Sequence, residues 1–183
     1  MDSSHINKQT YETCISSNEI YTGRVVHLRE DLVSLPSGEH RTREVVDHVP
    51  AVCVLPVMES GDLILIRQFR YAVASVMMEC PAGCMEDGED PLVAAKRELR
   101  EETGIQASEW ISLGGAYLAP GFCNEYMYFY LAKNLQFGET DFDDDENIET
   151  VTISQDEFKT LLSSDKIKDG KTVIAYHLAQ AYL

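Results

Sequence analysis

Long apolar runs are missing from this chain: no stretch approaches the roughly 18 consecutive apolar residues that a membrane-spanning helix requires. Positive charge is scarce, with 15 lysines and arginines against 31 acids and a formal net charge of −16. Such a surface repels phosphodiester backbones and anionic lipid, so neither nucleic acid nor a membrane is expected as a partner. The five cysteines, at 14, 53, 80, 84 and 123, are odd in number and scattered, which argues against a disulfide framework. A zinc site at Cys80 and Cys84 would need two further ligands, and no such pair is evident. The five histidines do not cluster, and His48 and His177 read as structural. The opening residues, Met-Asp-Ser-Ser-His-Ile-Asn-Lys, have neither the basic nor the apolar region of a secretory leader. Free thiols and a cytoplasmic location are the expectation.

What the chain does have is the composition of a globular protein: 183 residues, 44% of them hydrophobic, suit one domain with a small appendage. Residues 1–47 read as a small N-terminal antiparallel β unit. Its strands are expected at Tyr11–Ser16, Glu19–Glu30 and Glu39–Asp47, with turns at Ser17-Asn18 and Pro36-Ser37-Gly38. Three such strands are marginal alone and need support from the main domain or a second copy. In residues 48–183, the runs Ala51–Val57 and Asp62–Gln68 predict a hairpin around Glu59-Ser60-Gly61. Further strands are expected at Trp110–Leu118 and Tyr126–Ala132. In the latter, Tyr126, Tyr128 and Tyr130 alternate with Met127, Phe129 and Leu131, as in a sheet covered on both faces. Helices at Gln155–Ser163 and Lys171–Tyr182 complete an α/β sandwich.

Between these strands lies a well-marked helix. Asp90 suits its N-cap, Pro91 its first position, and Gly104 a left-handed stop after Thr103. Leu92, Ala95 and Leu99 fall within a ~60° arc and form its buried stripe. Glu98, Glu101 and Glu102 then crowd one edge at i, i+3 and i+4, where like charges repel unless a cation lies among them.

The spacing around that helix is distinctive: Gly83, five residues, Glu89, seven residues, Arg97-Glu98-Leu99, one residue, Glu101-Glu102, one residue, Gly104-Ile105. It matches the Nudix box in full, and the chain resembles the Nudix hydrolases, which split nucleoside diphosphates linked to another group. Three further features resemble the ADP-ribose pyrophosphatase and nucleoside diphosphate sugar subgroup. Pro120 lies sixteen residues beyond Gly104. Arg43-Glu44 resembles a substrate-contacting pair, and Gln68-Phe69-Arg70 a motif whose arginine binds the diphosphate. An arginine fork suits phosphate oxygens.

The resemblance implies an α/β/α sandwich with a mixed sheet, and a homodimer joined through the N-terminal strands. It implies Mg²⁺ or Mn²⁺ held by Glu98, Glu102 and the carbonyl of Ala82, with Glu101 a further candidate. Arg97 would orient the glutamates, and Glu89 would anchor the loop or an outer shell. The acidic stretch Glu139–Glu149 reads on its own as a solvated loop. By the resemblance, Glu146 is a candidate metal ligand, and either Asp144 or Glu146 the base that orients water. The family often has Glu where this chain has Asp144. The implied reaction is hydrolysis of ADP-ribose to AMP and ribose 5-phosphate. The alternatives are another nucleoside diphosphate sugar, such as ADP-glucose or GDP-mannose, or a nucleotide-binding module without catalysis. Retention of every box glutamate disfavours the last.

Overall fold

The computed structural model describes residues 10–138 and 148–183. They divide into two compact units, one reaching to Val49 and taking in Ala119–Glu125, the other formed by Pro50–Leu118 and Tyr126–Leu183.

The first unit is a three-stranded antiparallel sheet in the order β1 (Thr13–Thr22), β2 (His27–Ser34), β3 (His40–Asp47). The turn expected at Ser17-Asn18 is absent. β1 runs straight through it, absorbing irregularity in register shifts at Cys14/Ser16 and Glu19/Tyr21. The chain reverses instead at Gly23, whose N–H donates to the Val26 carbonyl at 2.9 Å. Polar residues were a poor guide here because every residue of β1 is exposed, and the burial pattern that separates strand from turn is missing. Segment 119–125 is tied to the end of β3: Val46 donates to Phe122 O at 2.7 Å, and Asn124 Nδ2 to Asp47 Oδ1 at 2.8 Å.

The second unit holds two sheets. One is antiparallel in the order β10 (Ile148–Ile153), β5 (Leu63–Arg70), β6 (Ser75–Glu79). The other is mixed, in the order β7 (Ala82–Cys84), β4 (Ala51–Pro56), β9 (Tyr126–Phe137), β8 (Ile105–Tyr117), with β4 and β9 parallel. All six residues of β4 are buried because it is covered on both faces. Cys53 and Leu55 enter one core with Phe129, Leu131, Phe158 and Tyr176, reaching helices α2 (Gln155–Ser163) and α3 (Gly170–Ala179). Val52 and Val54 enter the other, with Ala94, Ala95 and Leu99 of α1 (Pro91–Thr103). The alternation along β9 divides the same way, Phe129 to one side and Tyr130 to the other, so the α/β sandwich with a mixed sheet is as expected.

The predicted hairpin is half right. Gly61, at φ +88°, donates to Met58 O and turns the chain, and Val57 bridges Leu63. Beyond that single bridge β4 and β5 part into different sheets. Each is an apolar run that needs a central place between two neighbours, and turn chemistry reports only the reversal, not the pairing. No helix among the described residues is long and apolar enough to cross a membrane.

Candidate active site

α1 begins and ends as its sequence dictates. Asp90 accepts from the N–H groups of Leu92 and Val93, and Gly104, at φ +69°, closes the helix by donating to Arg100 O. Ala95 and Leu99 lock one side into the core, and this fixes where the edge flanking them points. Glu98 and Glu102 lie on that edge, against the strand β7 that enters the loop before the helix.

Two close approaches define the arrangement. The carboxylate of Glu98 rests against Gly83 so tightly that a Cβ there would come within 2.1–2.2 Å of its carbon and oxygens. Glu102, 3% exposed, accepts the N–H of Ala82 at 3.0 Å through Oε2. The Ala82 backbone and both carboxylates are thus gathered at one spot. The two carboxylates present oxygen donors, the type that hard divalent ions favour. Among the described residues no three His, Cys, Asp or Glu side chains converge to hold an ion by themselves.

Arg97 organises the surroundings. Its Nε and Nη2 fork onto Glu89 at 3.1 and 3.0 Å. Nη1 donates to Glu98 at 2.7 Å and Glu101 at 3.1 Å, and Nη2 also donates to the Cys84 carbonyl at 3.0 Å. A guanidinium has five N–H donors, and all five are engaged. Hydrogen bonds from Arg97 hold the Glu89 carboxyl below its usual range. Glu89 in turn accepts from Glu86 N at 3.0 Å, closing the loop over the helix. Glu101 is shared with Arg100 at 3.0 Å, which turns it toward cations of its own helix.

Arg70 ends β5 and makes a second fork, Nε and Nη2 to Glu79 at 2.8 and 2.7 Å. It also senses the negative charge of Glu102. Glu79 was not anticipated from sequence. It is 1% exposed and is also bound by Lys171 Nζ. Burial pushes its carboxyl up, but the Arg70 fork and Lys171 outweigh that, and the net is a value below the ordinary one. A carboxylate so depressed stabilises the fold above its normal titration range, and that support is lost as pH falls through the lowered value. Lys171 also donates to Asp169 Oδ1 at 3.0 Å. Asp169 caps α3 through Thr172 N and Oγ1, and Thr172 Oγ1 accepts from Cys80 N at 2.7 Å.

Arg43 and Glu44 are on β3 of the first unit, where Arg43 forks onto Glu12 at 2.9 and 2.7 Å. Pro120 belongs to that unit as well. Asp144 and Glu146 fall outside the described residues. His177 is exposed and His48 half-buried, with His48 Nδ1 donating to the Val49 carbonyl at 2.7 Å. The cysteines are free thiols. Burial pushes the Cys53 thiol well up, beside Cys80.

The chain is 35% identical over 175 residues to the ADP-ribose pyrophosphatase of Bacillus subtilis (strain 168), covering 94% of this chain and 95% of the relative. It is 37% identical over 171 residues to the methanol dehydrogenase activator of Bacillus methanolicus, covering 92% of each. A solved structure titled as an ADP compounds hydrolase superposes with a TM-score of 0.86 at 23% identity over 97% of both chains, a likeness of fold. The NUDIX domain model matches residues 47–175, and with near full-length relatives at this identity the chain belongs to the NUDIX family.

Proposed function

We propose that this protein is a metal-dependent pyrophosphohydrolase that cleaves ADP-ribose to AMP and ribose 5-phosphate. The observation that carries the reading is the seating of the Glu98 carboxylate on Gly83 beside Glu102 and the Ala82 backbone. Family membership and the naming of a near full-length relative as an ADP-ribose pyrophosphatase support it. Nudix hydrolases generally work with a divalent metal. In this chain Glu98, Glu102 and the Ala82 carbonyl would hold Mg²⁺ or Mn²⁺, with Glu101 and Glu146 as further ligands. Such ions neutralise phosphate oxygens and activate water for attack on phosphorus.

The side chains contribute positioning. Arg97 holds Glu98 and Glu101 while bracing the loop, an orienting task more than a chemical one. Arg70 turns its Nη1 side away from the Glu79 fork and is assigned to the substrate diphosphate. Asp144 or Glu146 is assigned to the water, and Arg43, Glu44 and Pro120 to further substrate contacts. These last five rest on the sequence match.

A panel of ADP-ribose, ADP-glucose, GDP-mannose and UDP-glucose with Mg²⁺ tests the reading. ADP-ribose should give the highest kcat/KM, with AMP and ribose 5-phosphate as products and reversible silencing by chelator. A higher kcat/KM for a hexose diphosphonucleoside would replace the substrate. Tight binding without products would replace the activity.

The protein is further proposed to be a cytoplasmic homodimer assembled through residues 1–47. In support, β1 exposes Ile15, Ile20 and Tyr21, each at 49–59% of its full surface, on a small sheet. Apolar side chains in that density favour a covering partner. Light scattering should give twice the chain mass for the full protein and a single chain mass for one starting at Val46. The same number of copies in both would remove the proposal.

A further inference from the structure

We propose that Lys171 and Glu79 are positioning residues for the reaction, acting through Arg70. This rests on the assignment of Arg70 to the substrate diphosphate. Glu79 offers two carboxylate oxygens, and the Arg70 fork uses both, through Nε and Nη2. The guanidinium is therefore held in one orientation, with Nη1 outside the fork and the side chain still 42% exposed. Glu79 itself is almost wholly buried, so its place is set from behind, where Lys171 Nζ binds Oε2 and reaches Asp169 at 3.0 Å.

Lys171 is the cation that lets this work. Glu79 and Asp169 both approach its ammonium, and all three groups are buried or nearly so. Without it, two carboxylates would face each other in the interior with Arg70 as the cation left to Glu79. The guanidinium would be drawn inward, or the N-terminus of α3 would back away. With it, Arg70 answers to a single carboxylate and keeps one edge for a phosphate. The same cluster steadies the backbone leading to Ala82. Asp169 orients Thr172, Thr172 Oγ1 holds Cys80 N, and Pro81 O accepts from Val54 N at 2.9 Å.

A double-mutant cycle on the full chain, with ADP-ribose and saturating Mg²⁺, decides the matter. Arg70→Ala should lower kcat/KM by about 10–100-fold, the range for a lost hydrogen bond to a charged group. Lys171→Met should lower it about ten-fold, mainly through KM, and Lys171→Arg should recover most of the loss. In the Arg70→Ala background, Lys171→Met should cost less than about two-fold, because residues acting through one another are not additive. Losses that multiply would overturn the proposal while leaving Arg70 in its role. An Arg70→Ala variant within about two-fold of wild type would remove the assignment beneath it. If Lys171→Met does not fold, Glu79→Gln takes its place in the cycle, with the same coupling to Arg70 required.

Discussion

Glu102→Gln is expected to lower turnover by about 10²–10⁴-fold, the range for losing a positioned acid–base group, while the protein remains folded. The substitution is close to isosteric. Its amide oxygen can still accept the Ala82 N–H that Glu102 accepts now at 3.0 Å, so the contact that joins loop to helix survives. What is lost is a full negative charge at a site 3% exposed, on which the proposed ligation of a divalent ion would depend. The measurement is turnover of ADP-ribose across a Mg²⁺ titration, paired with thermal unfolding. Retention of more than half the wild-type rate at saturating metal would remove Glu102 from the site.

Gly83→Ala is the second large effect, and it acts through a neighbour. Gly83 is not in the left-handed region, so the backbone accepts alanine without strain. The difficulty is space: the new methyl would stand 2.1–2.2 Å from the Glu98 carboxylate, well inside contact distance. A glutamate end is flexible and will swing aside, so the fold is preserved and Glu98 leaves its place. Activity or metal affinity should drop by about 10–100-fold, as when a metal ligand loses its support. Gly88→Ala supplies the opposite case. That residue has φ +73° and open space around it, so stability should fall with little change in kcat. Equal losses of activity in both variants would refute the role given to Gly83.

Much of this was readable in advance where the determinants are local. The N-cap at Asp90, the stop at Gly104 and the apolar stripe of α1 all follow from residues within one or two turns, and the structure has them, with Ala95 and Leu99 buried and Leu92 partly so. The alternation along β9 likewise carries its own answer, since both sheet faces are covered. Strands β6 and β7 were not foreseen because they are short and take their pairing from distant partners. β7 has three residues, and its register is set by β4, some thirty positions earlier. The partition of β4 and β5 into two sheets was hidden for the same reason.

The candidate site shows the same boundary. The Arg97 cluster, drawn from residues 84–101, was legible as a pattern of spacing. The Glu79–Lys171 contact joins residues 92 positions apart, and no local rule anticipates it. The fork of Arg43 onto Glu12 joins residues 31 positions apart, and the sequence match carried no sign of it. A charged residue's partners are a property of the assembled chain.

Full engagement of the Arg97 guanidinium has a consequence for how an anion is received. An arginine with every N–H already committed cannot also welcome a phosphate. One of only 15 basic side chains in a molecule of net charge −16 is therefore bound up in internal scaffolding. The attraction that brings a negatively charged nucleotide in must come from imported ions and from the few cations left outside that scaffold. Ionic strength and free-metal concentration should then govern substrate capture more than any enrichment of the surface in lysine.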